Sequence, residues 1–207
     1  MLELRKVPRV RKVDMRQIER ESRGTMKPGQ DLVVAGYAGL EGSRRIARAR
    51  EQELLHWFSG EYIRQMQEPA DVELDTDPDC WRKLGASEWE EVGEGGIHTA
   101  LWNLSGAYMT GFEVNLHLIP VKQETIEVCE RYDLNPYDLY SSNCMLLVAD
   151  NGGHLVKALA ERGIPAQCIG VVSRGIKREI CYGEVRGFMD RPKKDELYRI
   201  LDQEAAQ

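Results

Sequence analysis

The stretch CMLLVADNGGHLVKALAERGIPAQCIGVVS, Cys144 to Ser173, decides the fold class. Its first six residues are continuously apolar, as in a strand buried on both faces. Asp150 or Asn151 then stands where a helix N-cap is required. Leu155, Val156 and Leu159 make one apolar stripe, and Gly163 falls where a left-handed C-terminal cap belongs. AQCIGVVS is a second apolar run. Strand, helix and strand in this order predict a βαβ unit with a right-handed crossover, hence an α/β domain with a mixed sheet flanked by helices.

Working upstream, GFEVNL alternates like a strand, and VKQETIEVCERY returns to helical spacing through Val121, Thr125, Val128, Cys129 and Tyr132. Ile97, Leu101, Leu104 and Tyr108 mark one buried face of a further helix. LVVAG, after the turn Lys27 to Asp31, reads as a buried strand. A helix follows Gly36, Gly39 and Gly42, with Ile46, Ala47, Leu54, Trp57 and Phe58 on its inner stripe. The acidic, proline-bearing stretch EPADVELDTDPD reads as a surface loop, with a short helix after Pro78. Downstream, REICYG and EVRGF form a hairpin. Pro192 is expected to open a last helix with Leu197, Ile200 and Leu201 inward. The tail DQEAAQ is expected to fray.

A chain of 207 residues with 42% hydrophobic and 30% charged residues is an ordinary globular composition. A net charge of -6 argues against nucleic acid and anionic lipid as partners. Only the lead, residues 1–26, is rich in Arg and Lys, and it reads as a solvated or partner-facing segment. No apolar run reaches membrane-spanning length, and the N-terminus lacks a signal-peptide core. The five scattered cysteines include no CxxC, so a reduced, cytoplasmic protein without a zinc site is expected.

Two stretches carry candidate chemistry. In EEVGEGG, Glu90 to Gly96, three glycines precede a helix start whose free N–H groups and dipole suit an anion. It is neither a P-loop nor a Rossmann fingerprint. Glu90, Glu91 and Glu94 would repel bare phosphate unless a divalent cation intervenes, with Glu91 and Glu94 its candidate ligands. The alternative is a tight turn with solvated acids. In YSSNC, Ser141, Ser142 and Asn143 precede a buried strand, either to bind a ligand or to close a turn. Cys144 has no base or cation in its neighbourhood of sequence and reads as core. His98 is the one histidine beside the glycine loop; no histidine pair has metal-binding spacing.

KPGQDLVVAGYAGLEGSRRIARARE, the stretch from Glu90 to Ala149, and GIPAQCIGVVSRG resemble, in order, the C-terminal domain of the aminoimidazole ribonucleotide (AIR) synthase-related superfamily. The hydrogenase-maturation type, the carbamoyl dehydratase branch, is the most similar. Selenophosphate synthetase and thiamine-monophosphate kinase belong to the same superfamily. The resemblance spans about Lys27 to Leu201 and implies one PurM-like domain over residues 27–207. In the superfamily an N-terminal domain supplies magnesium-binding aspartates, much of the ATP site and the dimer contact. About 26 residues precede Lys27, too few to build it. Magnesium and ATP are therefore expected only with a partner that carries that domain. The superfamily's His-Asp-x-Thr-Glu-Gly-Gly corresponds to Glu90, Glu91, Val92, Gly93, Glu94, Gly95 and Gly96. Its Ser-Ser-Gly-Ser corresponds to Ser141, Ser142, Asn143 and Cys144. The terminal reactive cysteine of the carbamoyl dehydratase has no counterpart in LDQEAAQ. The expected function is that of a ligand-binding or assembly protein without autonomous ATP turnover, as a homo-oligomer or in a hetero-complex. The alternative is one half of a split ATP-dependent enzyme.

Overall fold

The computed structural model describes residues 25–69, 72–74 and 77–201. Residues 1–24 of the basic lead and the tail 202–207 lie outside the described residues. The last two residues of the lead belong to the body. Thr25 donates its N–H to the Ser87 carbonyl at 2.8 Å, and the Met26 side chain is buried in the core.

The elements, in order, are β1 (Asp31–Gly36), α1 (Leu40–Ala49), α2 (Glu51–Leu54), α3 (Gly60–Gln67), α4 (Pro78–Leu84), β2 (Ala86–Glu91), α5 (Gly96–Tyr108), β3 (Gly111–Asn115), α6 (Gln123–Tyr132), β4 (Cys144–Ala149), α7 (Gly152–Ala160), β5 (Ala166–Ser173), β6 (Arg178–Tyr182), β7 (Val185–Phe188) and α8 (Tyr198–Leu201). The strands form one mixed sheet in the order β2-β4-β1-β5-β3-β6-β7. No helix among the described residues is long and apolar enough to cross a membrane.

Every residue of β4 is buried, as its continuous apolar run requires. β1 is antiparallel to both β4 and β5, so β4 and β5 run parallel. They are not neighbours, because β1 lies between them. The predicted βαβ unit therefore spans three strands. Its helix α7 crosses over β1, a strand as apolar as the two that flank it. Two side chains fix the start of α7. Asn151 accepts from the His154 N–H at 2.9 Å, and Asp31 accepts from the Gly152 N–H at 2.7 Å. At its other end Gly163 has φ 73°. The Ile164 N–H donates back to the Leu159 carbonyl at 3.0 Å, the left-handed helix ending that the sequence implied.

Three apolar clusters hold the layers. On one face α5 presents Ile97, Leu101 and Leu104 to Leu32, Val34, Leu146 and Val148. On the other, α4 and α7 cover Val33, Ala35, Leu147 and Ala149. The third joins α1, α3, α6 and α8 through Ile46, Ile63, Val128 and Ile200.

Two expectations need correction. The helix after Gly39 does not continue to Phe58. It breaks at Arg50, whose ψ is 25°, and α2 and α3 follow as separate pieces. Trp57 is consequently exposed, while Ile46, Ala47 and Leu54 are buried. The last helix begins at Tyr198 rather than Pro192, although Leu197 and Ile200 do point inward. The sequence reading assigned no element to ASEWEE, which is the strand β2.

Candidate functional site

The strand registers gather the candidate residues at one end of the sheet. Glu91 at the end of β2 pairs with Met145, and Gly36 at the end of β1 pairs with Cys144. Ala35 pairs with Ala166 at the start of β5. The turns after β2 and β1 and those before β4 and β5 therefore converge.

The glycine loop is shaped by close backbone contact. Gly95 and Gly96 have φ 77° and 62°, in the left-handed region. A Cβ on Gly96 would lie 2.4 Å from the Tyr137 carbonyl oxygen, so only glycine fits. The Gly93 carbonyl accepts from the Gly96 and Ser141 N–H groups, each at 3.2 Å. The N-terminus of α5 then meets an anion, and it is the chain's own. Gly95 donates its N–H to Asp195 Oδ2 at 2.6 Å. Asp195 Oδ1 accepts from the Tyr140 N–H at 3.2 Å and the Leu197 N–H at 2.8 Å. Asp195 is 3% exposed. A buried carboxylate here is matched by three backbone donors and the positive end of a helix dipole.

Ser141 is fully buried and its hydroxyl is fully used. It accepts from the Gly39 N–H and donates to the Leu139 carbonyl, both at 2.7 Å. Ser142 is half-buried beside it. Asn143 has φ 58°, a conformation asparagine tolerates better than most residues. Its side chain clamps the segment before α4: Oδ1 accepts from the Leu74 N–H at 2.6 Å and Nδ2 donates to the Val72 carbonyl at 2.8 Å.

The three glutamates diverge. Glu90 shares a register position with Leu146, on the α5 face, and Glu91 with Met145, on the α7 face. Successive strand residues point to opposite faces, so these two carboxylates do not converge on one ion. Glu94 is exposed in the loop beside Tyr198, whose phenol it pushes up. Among the described residues, the potential metal ligands that do come together are elsewhere: Glu113, Glu179 and Cys181, with ligand atoms within 4.8 Å of one another. There Arg186 Nη1 holds both carboxylates, at 3.4 and 3.0 Å.

His98, on the first turn of α5, is an oriented imidazole. Its Nδ1 lies 2.8 Å from Asp138 Oδ1, and Asn135 Nδ2 donates to Asp138 Oδ2 at 2.6 Å. The Tyr137 ring packs at 5.6 Å. Cys144 offers no nucleophile, because burial pushes its thiol up to about 12. Two acidic residues escaped the sequence reading. Asp195 is 100 positions from its partner Gly95, and no local pattern marks it. Glu88, fully buried on β2, accepts from Tyr108 at the far end of α5.

Beside Asn143 lies a cavity of about 330 Å³, walled by the turn at Gly36 and Tyr37, by Val72 and Leu74, and by the turn from Gly163 to Pro165. It opens at the same end of the sheet as the glycine loop.

No protein-family model and no curated protein matches the sequence. Solved structures do match the fold. The Escherichia coli hydrogenase maturation protein HypE superposes with a TM-score of 0.64 at 19% identity, over 86% of this chain and 54% of that one. A HypE structure in complex with ATP gives 0.63 at 15% identity, over 85% and 54%. Thiamine-monophosphate kinase from Stenotrophomonas maltophilia K279a gives 0.56 at 16% identity, over 79% and 52%. The chain thus spans about half the length of the structures it matches. The described residues have the α/β, PurM-like fold of the AIR synthase-related proteins HypE and thiamine-monophosphate kinase.

Proposed function

We propose that residues 27–207 form a single ligand-binding or assembly domain of the hydrogenase-maturation type, which works at the glycine-loop end of its sheet and does not turn over ATP alone. The observation that carries this reading is the Asp195 carboxylate 2.6 Å from the Gly95 N–H. A phosphate bound at the start of α5 would compete with Asp195 for the Gly95 N–H. It would also approach Glu94 in the same loop, and like charges at such range repel. The domain instead offers the turns around Ser142 and Asn143 and the adjoining cavity to a ligand, and its outer surfaces to a second copy or another protein.

The test is a turnover assay on the purified chain with ATP and magnesium. This reading predicts no ADP above the uncatalysed background. A steady rate of about 1 s⁻¹ or more, within the usual range for enzymes, would overturn it.

A second reading follows from coverage. Similarity extends over about half of a HypE chain that was solved with ATP. A separate polypeptide carrying the remaining half would then complete an ATP and magnesium site, with Glu90, Glu91 and Glu94 on its margin. Co-expression with a PurM-like N-terminal half predicts a stable complex that gains nucleotide affinity. Separate elution of the two chains, with no gain, removes this reading.

A further inference from the structure

We infer that the cavity beside Asn143 is a site for a small, uncharged, bicyclic aromatic molecule, which deepens and rests on the reading of this sheet end as a binding face. The argument begins with size. At about 330 Å³ the cavity is at the lower end of the range for small-molecule pockets, enough for a two-ring compound.

The wall chemistry selects further. Leu40, Val72, Leu74, Ile164 and Pro165 supply apolar surface, and Tyr37 supplies the one aromatic ring. Among the described residues, no Asp, Glu, Lys, Arg or His lines the space. The single amide side chain, Asn143, has both ends committed to the Val72 and Leu74 backbone. A charged ligand would lose its hydration and gain no counter-charge, which is a heavy penalty in an apolar site. An uncharged ring meets no such penalty and gains contact with the aliphatic wall and the Tyr37 ring.

The walls are also fixed in advance. Asn143 pins the 72–74 segment. The helix ending at Gly163 and Ile164 sets the opposite side, and Gly36 cannot carry a Cβ because it would lie 2.5 Å from the Asn143 carbonyl oxygen. A pre-formed site binds without a large ordering cost.

The test uses the full chain and fluorine NMR relaxation of 5-fluoroindole against 5-fluoroindole-2-carboxylate. The uncharged probe is expected to bind with a Kd near or below about 1 mM, and the carboxylate at least about tenfold more weakly. Amide shifts at Tyr37, Leu74 and Ile164 are expected to move with the uncharged probe. Ala160→Trp, at the exposed rim, is expected to abolish binding while the thermal midpoint stays within a few degrees. Where that variant does not fold, Val72→Phe takes its place. Absence of broadening with 5-fluoroindole, equal binding of the carboxylate, or shifts confined to other residues would overturn the proposal. ATP turnover by the chain would overturn the proposed function and leave this result standing, so the two failures are distinguishable.

Discussion

Asp195 decides what the glycine loop does. Its carboxylate satisfies three backbone donors, buried at Gly95 and Leu197 and part-buried at Tyr140. Asp195→Ala strands all three, and each unsatisfied buried donor costs about 1–3 kcal/mol, so a loss of about 3 kcal/mol is expected in urea unfolding. Asp195→Asn keeps an acceptor oxygen and should lose less than half as much. Equal losses would mean that charge, rather than hydrogen bonding, holds the loop. The sequence displayed the glycines and their helix start but not this partner, because contacts between positions 95 and 195 leave no local pattern. Ser141 was legible as a polar residue at a strand entry. Its closed pair of hydrogen bonds was not, since the Gly39 N–H it accepts from lies in a turn 102 positions away.

At the scale of elements, the apolar runs were easy to place and their neighbours were not. β1, β4 and β5 announced themselves by continuous hydrophobicity, but the insertion of β1 between the other two is a property of pairing. β2 was hidden because Glu88 occupies an inward position that the pattern reserves for an apolar residue. The helix break at Arg50 was hidden because apolar spacing continues across it. The loop between β2 and α5 makes a sharp prediction. Gly96→Ala places a Cβ 2.4 Å from the Tyr137 carbonyl at φ 62°, so it should destabilise by more than about 2 kcal/mol. Gly93→Ala, whose Cβ meets nothing within 4 Å, should cost less than about 1 kcal/mol. The contrast is read from paired denaturation curves. Asn143→Ala should free the 72–74 segment, seen as at least about tenfold faster hydrogen exchange at the Leu74 amide with little change in α7.

The whole molecule keeps its core thiols neutral, and this sets an alkaline limit. Cys129 and Cys144 are pushed from 9.0 up to about 12, by burial first and, for Cys129, by Glu196 second. The unfolded chain releases these protons near pH 9 and the folded chain only near 12. Their contribution is therefore complete below pH 9 and is lost between 9 and 12. The urea midpoint should fall as pH rises from 9 to 11, and Cys144→Ala should flatten that slope while lowering stability overall. The fold was legible because the sequence segments resemble that superfamily in order, and solved structures at 15–19% identity match the fold. The proposed function was less legible, because that reading turns on which groups already fill the loop. Calorimetric titration of the purified chain with magnesium and ATP tests this most directly. The account predicts no saturable heat up to about 1 mM nucleotide, whereas binding with a Kd below about 100 μM, displaced in Gly96→Ala, would contradict it.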